Sequence, residues 1–344
     1  MTMRYGYKAS AEQFAPRELL DFSVRAEAAG LETIAISDHF QPWRHHGGHA
    51  PNVLPWLGAA GERTERAFLG TSVLTPTLRY HPSIIAQAFA TLGSMNPGRV
   101  FLGVGTGEAM NEHPATGLEW PGGKERRLRL AEAIELIRQL WTGERVSFKG
   151  QYYTTEIATI YDRPDEPVPI YVAAAGPLAA KLAGRLGDGF ICTSGKDPDL
   201  YRELVGKVEE GATEAGRDPG AIDHMIEIKV SYDRDPEYAH IACGFWAALA
   251  LTPEEKRDIH DPIEMERAAA DAEGRAHSRF IVSSDPDEVV DKIAPYVELG
   301  FRNLVFHAPG HDQARFIDAF SQDVLPRLAK RFEAAGVGYA EPTP

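Results

Sequence analysis

Short apolar runs alternate with longer amphipathic stretches along the whole chain. Arg4–Lys8, Thr33–Ser37, Ala67–Leu74, Val100–Val104, Pro169–Ala173, Gly189–Cys192, Met225–Ser231 and Asn303–Phe306 read as strands, being apolar, largely β-branched or aromatic, and closed by turn residues. Helices are expected between them, over about Pro16–Ala29, Val53–Glu62, Pro82–Met95, Lys124–Trp141, Asp199–Ala215, Pro286–Leu299 and Gln313–Arg331, with a short one after Gly176-Pro177. In the fourth of these, Leu128, Ala131, Ile134, Leu136, Ile137 and Leu140 recur at the spacing of one helix face. Eight strand signals with helices between them predict a (β/α)8 barrel, an α/β fold of the TIM type, in one domain over 1–335. Two stretches interrupt the alternation. At 143–168, Phe148–Tyr153 reads as a small hairpin; 236–283 is polar and helical, with a short extra strand at Phe280–Val282. Residues 336–344 read as a tail.

A doubly wound open sheet is the rival fold. Its dinucleotide fingerprint is missing, because Gly103-Val104-Gly105-Thr106-Gly107 needs a third Gly at 108, and that residue is Glu108. The net charge of −14 argues against nucleic acid or an anionic membrane as partner, while leaving room for a local basic pocket. Two unclustered cysteines suit a reducing compartment, and with no signal-peptide pattern the expected location is cytoplasmic. His45, His46 and His49 fit no ligand spacing, so no metal is expected.

A barrel gathers the C-terminal ends of its strands at one mouth. Those ends carry Glu12, Asp38 with His39, Thr75, Thr106-Gly107-Glu108, Ala175-Gly176, Thr193 with Lys196, and Lys229. The opening of this set, Ile34-Ala35-Ile36-Ser37-Asp38-His39-Phe40-Gln41-Pro42-Trp43, is a buried-strand pattern that ends in an acid, an imidazole and aromatics. Singly, each residue could cap a helix or sit in solvent; together they describe a site. His39 and Glu108 form a candidate acid/base pair. Gly107 and Gly176 allow backbone amides close to a flat or phosphorylated ligand. Thr193 and Lys196 suit an anion, and Lys256 and Arg279 could complete that clamp, although Lys256 alone reads as an exposed helix start.

Ser37–Trp43, Thr71–Thr77, Gly103–Glu108, Cys192–Lys196 and Phe306–Gln313 resemble the glucose-6-phosphate dehydrogenases that use coenzyme F420, a group of the bacterial-luciferase-like barrels. The resemblance runs from about Tyr5 to Arg331. It implies a homodimer and an 8-hydroxy-5-deazaflavin that accepts hydride at C5 from C1 of a sugar 6-phosphate. It further implies that Asp38, Thr75, Thr106, Gly107, Asn111, Ala175, Gly176, Leu178 and Ala179 hold the cofactor, with a non-proline cis peptide at Ser72-Val73 behind its ring. Thr193, Lys196, Lys256 and Arg279 would hold the phosphate, with Lys229 beside them. Ala175 departs from the Gly common in the family, and Arg257 from the His of a relative. The expected mechanism has His39 as base, Glu108 serving the ring nitrogen N1, Trp43 excluding water and Glu12 orienting a substrate hydroxyl or the imidazole; the roles of His39 and Glu108 are exchangeable at this level. The rivals are an FMN-dependent monooxygenase of the same barrel class and a sugar-phosphate-binding protein without turnover.

Overall fold

The computed structural model describes residues 3–256 and 258–333. Its nine strands are β1 (Arg4–Ala9), β2 (Thr33–Ile36), β3 (Phe68–Thr71), β4 (Val100–Val104), β5 (Ile170–Ala173), β6 (Gly189–Thr193), β7 (Asp223–Tyr232), β8 (Ile281–Ser283) and β9 (Asn303–His307). All pair in parallel. β1 to β7 follow one another, β7 pairs with β9 and β9 with β1, so eight strands close into the expected barrel. β8 is the extra strand of the late insertion. It pairs with the end of β7 outside the barrel, Val230 against Ile281 and Tyr232 against Ser283.

Because parallel barrel strands are covered on both faces, they are buried at nearly every position. One apolar layer lies between strands and helices. A second plugs the barrel interior with Ala35, Phe101, Tyr171, Ile191, Met225 and Val305. Large rings on β4 and β5 leave no space on the strand beside them. A Cβ on Gly103 would stand 1.8 Å from the Thr71 carbonyl oxygen, and one on Gly70 would stand 2.6 Å from the Phe101 ring. Gly103→Ala is therefore expected to destabilise the fold by about 2 kcal/mol or more, read as a lowered midpoint of denaturant unfolding; an unchanged midpoint would refute the close approach.

Four expectations need correction. β3 is half as long as its apolar run, since a cis peptide at Ser72-Val73 turns the chain and Leu74 rejoins β4 only through a bridge to Val104. The final helix is two, Gln313–Asp323 and Leu325–Glu333; Pro326 has no N–H to continue the ladder. An unanticipated helix, Ala109–Thr116, follows β4 despite an internal Pro114. The extra strand is shifted by one residue from Phe280–Val282. The hairpin within 143–168 is present, bridged at Val146–Ala158 and Lys149–Thr154. The late insertion builds its own small core of Cys243, Trp246, Leu251, Met265 and Phe280, against which Met110 and Trp43 pack. Arg257 and the tail 336–344 lie outside the described residues.

Candidate active site

A cavity of about 580 Å³ opens at the C-terminal ends of the strands. β2 supplies Asp38 and His39 to its lining, β3 is followed by Ser72, Val73 and Thr75, and β4 by Thr106, Gly107 and Glu108. The helix after β4 adds Asn111; the turn after β5 adds Ala175 and Gly176, with Leu178 and Ala179 from the helix it opens; β6 adds Thr193. The scattered tips thus converge on one space.

On one wall stands His39. Its Nδ1 is 3.2 Å from Glu12 Oε1, and its ring stacks on Trp43 at 6.3 Å between centroids. Ser37 donates to the other Glu12 oxygen at 2.7 Å. Burial alone would push the Glu12 carboxyl up, but His39, Lys8 and the Ser37 hydroxyl outweigh it and hold it below the usual carboxylate range. Glu12 thus places a negative charge beside the imidazole. Asp38 is fully enclosed and held by Arg79 at 2.6 Å, with Tyr80 at 3.3 Å. Burial still pushes its carboxyl up, as Arg79 and His39 offset only part of the desolvation. Asn111 accepts the backbone N–H groups of Phe40 and Gln41, fixing the loop that presents His39 and Trp43.

Beside this wall is a cationic cluster whose members are not themselves in the cavity lining. Lys196 follows β6, and Lys256 and Arg279 come from the insertion. Lys256 Nζ sits 4.7 Å over the Trp43 ring. Burial lowers its ammonium to about 8, against the opposing pull of Glu108 across the mouth. Burial also lowers Lys196, with Arg279 adding repulsion. Arg279 Nε is buried without a hydrogen-bond partner among the described residues. Its backbone is approached so closely by Gly195, at φ +81°, that a Cβ there would stand 2.8 Å from the Arg279 carbonyl oxygen. Lys229 is placed differently from expectation. It is buried beneath this loop and donates to the Ser194 carbonyl at 3.2 Å, so it supports the clamp from below; burial brings it too to about 8.

Sequence reasoning missed the second rank of charges. Arg79 bridges Asp38 and Glu112; Lys8 and Glu227 pair at 3.0 Å under the cavity; Arg127 lines its outer edge. Lys8 stands inside β1 and Glu227 inside β7, among other charged residues of those strands, so neither marked itself out before its partner was seen.

The residues present fit a flat, phosphorylated cofactor. Small side chains, Ala173 to Gly176, form one wall. Gly107, at φ +78°, leaves space that a Cβ would close against Thr75 and Trp120. The helix Pro177–Leu186 starts at Gly176 with no side chain capping its first amides, which point an anion site at the cavity.

The pattern described as "Luciferase-like monooxygenase" matches residues 3–303. A protein of Microbacterium testaceum named F420-dependent glucose-6-phosphate dehydrogenase is 60% identical over 96% of this chain and 98% of its own. One of Beutenbergia cavernae with the same name is 61% identical over the same shares. The chain belongs to the F420-dependent glucose-6-phosphate dehydrogenases. Beyond that family, a solved F420-dependent secondary alcohol dehydrogenase in complex with an F420-acetone adduct superposes with a TM-score of 0.88, at 36% identity over 95% of this chain and 99% of that one. The F420-dependent tetrahydromethanopterin reductase of Methanopyrus kandleri follows at 0.79 and 25%, over 95% and 100%. The family's cis peptide stands at Ser72-Val73, where the resemblance put it, with both residues in the cavity wall.

Proposed function

We propose that this chain oxidises glucose 6-phosphate at C1 to 6-phosphogluconolactone and passes the hydride to C5 of coenzyme F420. The carrying observation is a cavity with His39, flanked by the Glu12 carboxylate, in its wall, and beside its Thr193 and Glu108 end a cluster of three cations, Lys196, Lys256 and Arg279, that act on one another. Kinship at 60% identity over almost the whole chain supports the same substrate and cofactor.

Val73, Gly107 and Gly176 would face the deazaflavin, which would supply the hydride acceptor when bound. Asp38, Thr75, Thr106 and Asn111 hold it, with Ala175, Leu178 and Ala179 along its far side. Thr193, Lys196, Lys256 and Arg279 hold the 6-phosphate and so set C1 over the ring. His39 takes the proton of the C1 hydroxyl as the C1 hydrogen leaves with its electron pair. The Glu12 carboxylate, 3.2 Å from Nδ1, supplies the negative charge that favours the imidazolium formed in this step. Glu108, at the solvent-facing start of the helix Ala109–Thr116, delivers the proton that balances the hydride. Trp43 closes the side of the sugar between His39 and Lys256, excluding water.

Mixing the protein with oxidised F420 and glucose 6-phosphate under nitrogen should bleach the deazaflavin band. Oxygen uptake with reduced FMN would instead favour the monooxygenase reading, and thermal stabilisation by the sugar phosphate without bleaching a binding protein.

The cytoplasm, where sugar phosphates are made, is the matching location; among the described residues no helix is long and apolar enough to cross a membrane. A homodimer is the assembly we read. An apolar groove lined by Leu20, Pro51, Pro55, Trp56 and Ala59, and half-exposed Ile84 and Met95 on the neighbouring helix, give it a surface. Light scattering that returns the mass of one chain would refute it.

A further inference from the structure

The mechanism above uses the groups that face the cavity and leaves a buried lysine under it unexplained. Lys8 lies on β1, inside the barrel wall, with a side chain only 5% exposed. A buried ammonium is costly unless it is fully engaged. Lys8 is engaged twice over by parts of the site. Its Nζ donates to the carbonyl oxygen of Ser72, the carbonyl of the cis peptide whose two residues line the cavity. It also pairs at 3.0 Å with Glu227, another residue of the cavity floor.

We propose that Lys8 is a positioning residue of the reaction, its ammonium fixing the Ser72 carbonyl behind the cofactor ring and serving as counter-charge to Glu12 behind His39. This rests on the deazaflavin reading of the cavity.

Two facts give it reach. First, β1 runs from Lys8 through Ala9 into the turn that carries Glu12, so one short segment ties the ring wall to the imidazole's partner. Second, the charges in this layer balance only with Lys8 in place. Glu12 is faced by His39 and Ser37 from the end of β2 and by Lys8 from β1. Glu227 is faced by Lys8, by His307 from β9 with Nδ1 at 3.3 Å, and by Lys229 on its own strand. Burial lowers His307, which leaves it uncharged at neutral pH, so Lys8 and Lys229 are the cations opposite the two carboxylates. Both carboxyls are held below their usual range despite complete burial, and Lys8 contributes to each. Taking Lys8 away lets Glu12 bind a proton at higher pH. A protonated Glu12 no longer presents a negative charge to His39, and the base loses its electrostatic partner.

The test compares Lys8→Met with Glu227→Gln. Lys8→Met should weaken deazaflavin binding, followed by quenching of cofactor fluorescence, by roughly tenfold or more, the worth of one charge-assisted hydrogen bond. It should lower kcat, leave KM for glucose 6-phosphate within about twofold because the clamp is untouched, and move the acid limb of kcat/KM to higher pH. Glu227→Gln keeps the ammonium and removes a neighbouring anion, so it should not move that limb up. Lys8→Arg, which restores the charge, should return the limb toward its original pH even where packing suffers. Wild-type deazaflavin affinity with an unmoved acid limb in Lys8→Met overturns the proposal. So does a limb moved upward equally by both substitutions, which would mark general loosening. A Lys8→Met chain that does not fold is replaced by Lys8→Gln, which also removes the charge; its acid limb must then lie at higher pH than that of Lys8→Arg, and equal limbs overturn the proposal. Wild-type protein that binds no deazaflavin overturns the functional reading itself, and this is seen before any variant is compared.

Discussion

Alanine at position 39 should cut turnover by roughly 10²–10⁴-fold, the usual worth of a positioned general base, while deazaflavin binding and KM for glucose 6-phosphate change little. The expectation follows from what surrounds the imidazole. His39 is the histidine that lines the cavity, and its ring is held on both sides, by the Glu12 carboxylate at Nδ1 and by the Trp43 face. The carboxylate beside the ring favours its protonated form, which is the form the ring takes on when it accepts the substrate proton. The truncation removes the proton acceptor at the moment the C1 hydroxyl must lose its proton, and nothing else on that wall can replace it: Asp38 is locked to Arg79. Steady-state kinetics at several pH values is the measurement. A fall below tenfold with the cofactor bound would pass the base role to Glu108, and Glu108→Gln would then carry the larger loss.

The barrel was legible because parallel strands buried on both faces leave an unbroken apolar signature, and because turn or polar residues follow the runs, as Asp38 follows β2 and Gly105 follows β4. Where the apolar run outlasted the strand, as at Ser72 to Leu74, composition carried no trace of the backbone turn; that feature came from family resemblance alone. Lys256 and Arg279 were named as candidates from the sequence, but their positions could not be read there. They come from a helical insertion distant in sequence from the other tips, and only its packing against Trp43 and Gly195 brings them to the mouth. The reading of strand ends put Lys229 with the substrate-binding residues; its place on β7, paired with β6 and β9, buries it against the Ser194 carbonyl. Lys8, Arg79, Glu112 and Glu227 escaped because a charged residue inside a strand or loop has no meaning until its partner is found, and the partners lie on other strands and helices.

Arg279→Ala should raise KM for glucose 6-phosphate by roughly 10–100-fold, as expected for the loss of one or two hydrogen bonds to a charged group, with kcat reduced far less. The phosphate brings nearly two negative charges, and the site meets them with Lys196, Lys256 and Arg279 above a buried Lys229. These cations repel one another and are partly desolvated, as the lowered ammonium groups record. A dianion relieves that repulsion, so binding it draws on a strain already present in the empty site. The same argument sets a pH dependence. Lys229 and Lys256 lose protons near pH 8, whereas the phosphate is already fully ionised there. Attraction therefore weakens as pH rises through about 8, and kcat/KM for the sugar phosphate falls on its alkaline side. With substrate bound, the anion holds those protons on, so kcat keeps its value to higher pH. Added salt should raise KM in the same direction. Free glucose, which lacks the phosphate, should show neither the alkaline fall nor the Arg279→Ala penalty; equal effects on both sugars would mean that these cations do not hold the phosphate.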